Sequence, residues 1–169
     1  MALLSAALLA AQRADLPQVD ELCGAFWVAT ALTAEGLFTT QEEAAAAAGS
    51  VLAPPGSPSS LPPGEQGRRP RAPLPVAEPG APAGTSAHGV ARAVEELSGG
   101  RLVAVPATGE WTAANLVEVL DRVHDAVVVI ANVLTGELWD PSVTDDEVER
   151  FLATGADDGP ENAWRVGHF

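Results

Sequence analysis

One thiol and three imidazoles make up the nucleophile and base inventory of this chain: Cys23, His88, His124 and His168. Cys23 stands in the run Leu16-Pro17-Gln18-Val19-Asp20-Glu21-Leu22-Cys23-Gly24-Ala25-Phe26-Trp27, and an apolar, helix-like stretch from Ala25 to Leu32 begins directly after it. A cysteine in the first turn of a helix lies among backbone N–H groups that lack an intrahelical partner. The positive end of the helix dipole favours a thiolate there, and the thiolate is the form that attacks carbonyls. Gly24 lets a substrate backbone approach the sulfur, and the side-chain amide of Gln18 is within reach of an oxyanion developing beside it. Such a nucleophile needs an imidazole, usually distant in sequence, and Val166-Gly167-His168-Phe169 offers one. The chemistry these types allow is acyl transfer. A single Cys beside Phe26, Trp27 and Val28 is equally the pattern of a buried small hydrophobe.

The elements that must position these groups follow from pattern. Leu3 to Ala14 is rich in Ala and Leu and predicts a helix ending before Pro17. Residues 24–35 form the helix that carries the nucleophile, with Gly36 as its stop. Thr40 caps a third helix, with Glu43 in the capping-box position, Ala44 to Ala48 as its body and Gly49 as its end. Ser86 caps a helix over 87–97, with Val90, Val94 and Leu97 on one face, and 112–123 repeats the signal. Arg101 to Ala107 reads as a short strand, Ala126 to Val133 as a central buried one, and Glu137 to Asp140 as another short one. Thr144 opens a further helix with Asp145, Asp146 and Glu147 at its positive end. Asn162 to Phe169 is the strand that delivers His168. Between the third and fourth helices, residues 53–83 turn into a Pro/Gly/Ser tract containing Arg68, Arg69 and Arg71; such composition predicts a disordered insertion within one domain of residues 1–169.

Gln18 followed by Cys23-Gly24-Ala25 and an apolar helix, together with the late Gly167-His168-Phe169, resembles the nucleophile and base segments of papain-like cysteine peptidases. The likeness is nearest to the bacterial group that trims double-glycine leader peptides. It runs through Ser5 to Leu52 and Gly84 to Phe169, taking in Gly84 to Val90, Leu102 to Pro106 and Ala126 to Val133. The resemblance implies an α+β, papain-like fold in which a helical subdomain packs on an antiparallel sheet. It implies Cys23 as nucleophile, His168 as base and Gln18 as oxyanion donor, acting on a peptide or protein, with a natural-product leader peptide as one substrate. The family places an Asp-Pro pair and closing strands after its His, whereas Asp140-Pro141 precedes His168 and the chain has one residue after it. Gln18 also stands slightly nearer the Cys than in the family. The expectation is therefore a cysteine peptidase; its alternatives are a catalytically inactive relative that binds peptide, or a partial domain whose sheet, short at the C-terminal end, is completed by a partner chain.

With 169 residues the chain is long enough for one domain with a core. A formal net charge of −14, with every basic residue an Arg, excludes the basic footprint that nucleic-acid binding requires. One Cys forms no internal disulfide. No run approaches the ~18 apolar residues of a membrane span, and Met1 to Ala11 lacks the basic flank of a signal peptide, so a soluble, cytoplasmic, bacterial protein is expected. No cofactor or metal site is read: phosphate loops, dinucleotide fingerprints and paired Cys/His sets are missing, and the 145–147 acids lack calcium-loop spacing. His88 at a helix start and His124 after a helix read as exposed. Asn132 and Asp140 either orient an imidazole or serve as turn residues. Asp157-Asp158-Gly159 is a turn.

Overall fold

The structure, a computed structural model, describes residues 6–57, 59–61, 67–109, 112, 115, 118–119, 127–134, 142–155, 159 and 167–168. Its framework is helical: α1 (Ala6–Asp15), α2 (Cys23–Ala34), α3 (Gln41–Ala48), α4 (Ala87–Leu97) and α5 (Asp145–Thr154), with two short strands, β1 (Val133–Leu134) and β2 (Gly167–His168).

Helix α2 is the axis of the core. It is apolar on every side, the signature of a helix enclosed by others, and it packs against α1, α3 and α4, while α3 also packs on α4. Leu22, Ala25, Val28, Ala29 and Leu32 meet Ala44, Ala45 and Ala48 of α3 and Val90, Ala93 and Val94 of α4 in one cluster. The alanine face of α3 lets the helices approach closely. At Gly89 the approach is closest: a Cβ there would lie 2.4 Å from the carbonyl oxygen of Ala48. On the opposite side, Leu8 and Ala11 of α1 are buried.

Local chemistry sets the helix ends. Thr40 Oγ1 accepts the Glu43 N–H at 3.1 Å while Glu43 Oε2 accepts the Thr40 N–H at 2.8 Å, the reciprocal box its spacing predicts. Gly49 closes α3 in the left-handed region at φ 64°. Ser86 Oγ accepts the Gly89 N–H at 3.0 Å to open α4. Thr144 and Glu147 build a second reciprocal cap on α5, with the Thr144 N–H 2.7 Å from Glu147 Oε2.

The α+β, papain-like expectation is overturned. Among the described residues the only ladder is β1 with β2, antiparallel, pairing Val133 with His168 and Leu134 with Gly167. A pair two residues long offers no sheet on which a helical subdomain can pack. The strand pattern misled because β-branched residues report a half-buried extended surface rather than sheet pairing as such. In the 101–107 stretch Leu102 and Ala104 lean on the helical core while Val103 and Val105 are 75 % and 82 % exposed, an alternation satisfied by helices instead of neighbouring strands. Ile130 likewise touches the core, whereas Val127, Val128 and Val129 are exposed. Of the helix expected over 112–123, residues 115, 118 and 119 are helical, with Thr112 Oγ1 accepting the Asn115 N–H at 3.1 Å. The strand expected at Glu137 to Asp140 lies outside the described residues, as do His124, Asp140 and most of 162–169.

The described parts of the Pro/Gly/Ser tract are tied to the segment that follows α3 by directed bonds. Leu52 exchanges hydrogen bonds with Pro75 O and the Ala77 N–H, each 2.8 Å. Val51 and Gly84 pair as an isolated bridge, and beneath them the hydroxyls of Ser50 and Thr85 lie 2.7 Å apart, buried.

Candidate functional site

The link from α1 to α2, residues 16–22, carries Gln18 and leads directly into Cys23. Gln41, the first residue of α3, holds this link with a single buried side chain. Its Oε1 accepts the Val19 N–H at 2.7 Å; its Nε2 donates to Asp15 O at 2.8 Å and Pro17 O at 3.3 Å. At the start of the link the Asp15 carboxylate accepts the Thr30 hydroxyl of α2 at 3.2 Å. Burial raises the Asp15 carboxyl above the ordinary carboxylate range, and the Thr30 hydroxyl offsets part of that rise.

At the far end of the link Glu21 occupies the left-handed region with φ 67°, unusual for a residue with a side chain. Such a conformation costs on the order of 1–3 kcal/mol and persists only where its surroundings fix it. Here they do: the Glu21 N–H donates to Ser60 Oγ at 2.7 Å, and Glu21 Oε2 accepts the Ala53 N–H. Asp20 Oδ1 accepts from Ser59 Oγ, the Ser60 N–H and Ser60 Oγ at 3.0–3.1 Å, and the Asp20 N–H donates to Arg68 O at 3.1 Å.

Cys23 is the first residue of α2, as its sequence context predicts within one residue. The preceding Leu22 supplies no side-chain cap, so the first turn keeps its N–H groups free of a capping oxygen. The cysteine is a free thiol and only 6 % exposed. Gln18 lies on the same link, and its Nε2 is buried with no hydrogen-bond partner among the described residues. A buried donor left unpaired costs about 1–3 kcal/mol, and folded proteins retain few of them. Gln18 thus lies on the link that leads into Cys23 at the start of α2. His168 sits in β2 beside Val133, and its imidazole lies outside what is described. His88 is exposed on the first turn of α4, and Asn132 is exposed ahead of β1. Among the described residues no three His, Cys, Asp or Glu side chains cluster as a metal site, and no helix is long and apolar enough to cross a membrane.

A family model matches residues 4–169, nearly the whole chain. The chain belongs to the family of unknown function DUF6885. No curated protein and no solved structure is significantly similar to it. For this member of DUF6885, then, the residues themselves are the ground for any functional reading.

Reading by motif did not find Gln41, Asp20, Glu21 or Glu42. Gln41 follows the Thr40 cap and looks like any residue of a helix first turn; its partners are more than twenty residues away in sequence. Glu42 Oε1 accepts from Arg68 Nη1 at 2.6 Å and from the Arg71 N–H at 2.7 Å. These contacts, the Arg71 N–H first, hold its carboxyl below the ordinary range. The one available signal was compositional: three arginines inside a Pro/Gly tract of an acidic protein.

Proposed function

We propose that the chain is a thiol-dependent acyl-transfer protein acting on peptides, with peptide-bond hydrolysis as its reaction in water. The observation that carries this reading is the buried, unpartnered amide donor Gln18 Nε2 on the link that leads into α2, whose first residue is the thiol Cys23. In the proposed reaction His168 takes the Cys23 proton and the sulfur attacks the peptide carbonyl. The Gln18 amide and the Cys23 N–H stabilise the oxyanion, which is where preorganised donors act most strongly. Collapse breaks the C–N bond, the imidazolium returns its proton to the leaving amine, and water, deprotonated by the imidazole, releases the acid from the thioester. The reading rests on these side chains and not on a papain-like sheet.

A peptidyl acyloxymethyl ketone, which alkylates an activated thiol, tests it. Wild type is expected to be labelled at Cys23, Cys23→Ala not at all, and His168→Ala more slowly by about 10²–10⁴-fold, the usual worth of a positioned base. Labelling of His168→Ala at the wild-type rate overturns the assignment of the base. Labelling that survives in Cys23→Ala overturns the site.

The low exposure of Cys23 favours a second reading, a relative that binds peptide at the α2 head without reacting. It predicts peptide binding that Cys23→Ala leaves intact, with no labelling of the thiol.

A further inference from the structure

In front of the α1–α2 link the 67–71 limb of the Pro/Gly tract lies in a way that reads as recognition. The Asp20 N–H donates to the carbonyl of Arg68 at 3.1 Å, as a peptide is held in strand-like pairing. Two further contacts fall on Glu42 Oε1: Arg68 Nη1 at 2.6 Å and the Arg71 N–H at 2.7 Å. Immediately before Arg68, Gly67 passes close to the link. A Cβ at this position would meet Leu61 Cδ1 at 2.2 Å, Gln18 O at 3.3 Å and Asp20 N at 3.4 Å. The backbone conformation of Gly67 is not left-handed and the Leu61 methyl can turn aside, so what glycine spares there is a tight approach to the Gln18 carbonyl oxygen. The Arg68–Glu42 pair is partly solvated and adds modest energy. The directed contacts are those to Asp20 and Glu42, and Gly67 adds a close backbone approach at Gln18.

We infer that the surface formed by Gln18, Asp20 and Glu42 binds extended peptide, that the 67–71 limb occupies it from within the chain, and that in trans it takes a peptide with glycine followed by arginine. Its meaning as a substrate surface rests on the acyl-transfer reading above, since Gln18 belongs to both. A net charge of −14 adds long-range attraction for such a basic peptide. A tethered limb competes at an effective concentration of about millimolar, so the surface is closed to a trans peptide until the limb leaves.

The test is fluorescence anisotropy with a labelled Gly-Arg-Arg-Pro-Arg peptide at physiological salt. All proteins carry Cys23→Ser, so binding is read without turnover; failure of the acyl-transfer reading would appear in labelling and leave this result standing. Gly67→Val with Arg68→Glu expels the limb, by crowding Leu61 and the link and by setting like charges at Glu42. This protein is expected to bind the peptide at least tenfold more tightly than the protein with its native limb. Adding Glu42→Gln should remove that gain, and a Val-Arg-Arg-Pro-Arg peptide should bind at least tenfold more weakly. Arg68→Glu alone, at a side chain that is 45 % exposed, keeps the fold and is expected to move binding in the same direction. Equal binding with and without the native limb in both variants overturns the inference. So does equal binding of the Gly and Val peptides, which would reduce the effect to charge attraction.

Discussion

Removing the Gln41 side chain should loosen the whole link that carries Gln18 and leads to Cys23. In Gln41→Ala the N–H of Val19, a residue with no exposure, loses its acceptor. Stranding one buried donor costs about 1–3 kcal/mol. The carbonyls of Asp15 and Pro17 lose a donor each, at 2.8 and 3.3 Å, in partly buried positions that water can reach. Each of those bonds is worth about 0.5–1.5 kcal/mol net, the longer one at the low end. The sum is roughly 3 kcal/mol, which for a chain of this size lowers the melting temperature by roughly 6–12 °C. Thermal unfolding followed by circular dichroism reads the loss, and amide hydrogen exchange locates it. The Val19 amide should exchange faster in the variant, while the Phe26 amide, bonded to Leu22 O at 2.8 Å within the helix, keeps its protection. A melting temperature lowered by less than about 3 °C, or an unchanged Val19 amide, would refute the role given to Gln41.

Gly89→Ala puts a methyl 2.4 Å from the Ala48 carbonyl oxygen, so α3 and α4 must separate, at a cost of about 1–3 kcal/mol visible in urea unfolding; an unchanged midpoint would contradict the close crossing. Thr40→Ala dissolves the α3 capping box and should cost about 1 kcal/mol in the same assay, whereas Thr40→Ser should restore most of it. Glu42, Glu43 and Glu147 are held below their ordinary 4.5 in the folded chain, so the stability they contribute is complete above pH 4.5 and is lost as pH falls through their lowered values. Asp15, raised from 3.8 by burial, acts with the opposite sign and relieves the folded state as it protonates. The drop in urea midpoint between pH 7 and pH 3 should therefore be larger in Asp15→Asn than in wild type, and an equal drop would remove Asp15 from the account.

What was legible in the sequence is what depends on neighbours in the chain. Thr40 with Glu43, Ser86 ahead of α4, the helix that opens at Thr144 and the stop at Gly49 are decided within a helical turn, and each stands as its local sequence implies. The start of α2 at Cys23 was legible for the same reason, because the apolar run that follows it fixes the helix locally. What was not legible depends on partners far along the chain. Whether Leu102 and Ala104 face a sheet or a helix leaves the same two-residue alternation in the sequence, so the extended stretches were assigned a sheet of which the described residues form only the two-residue pair β1–β2. The composition of residues 53–83 says that the tract buries little by itself. It does not say that Asp20, Glu21 and Glu42 offer carboxylates to Ser59, Ser60, Ala53, Arg68 and Arg71. Gln41 is the same case in one residue: a polar side chain whose worth is set by Asp15, Pro17 and Val19.

The proposed chemistry leaves a covalent trace at one atom, the sulfur of Cys23. Intact-mass spectrometry of protein acid-quenched after brief exposure to a Gly-Arg-containing peptide thioester reads that trace directly. The thiol acyl-transfer account predicts a single acyl adduct mapped to Cys23, absent from Cys23→Ala and slow to form in His168→Ala. No adduct on the wild-type protein, or one that persists in Cys23→Ala, would contradict it.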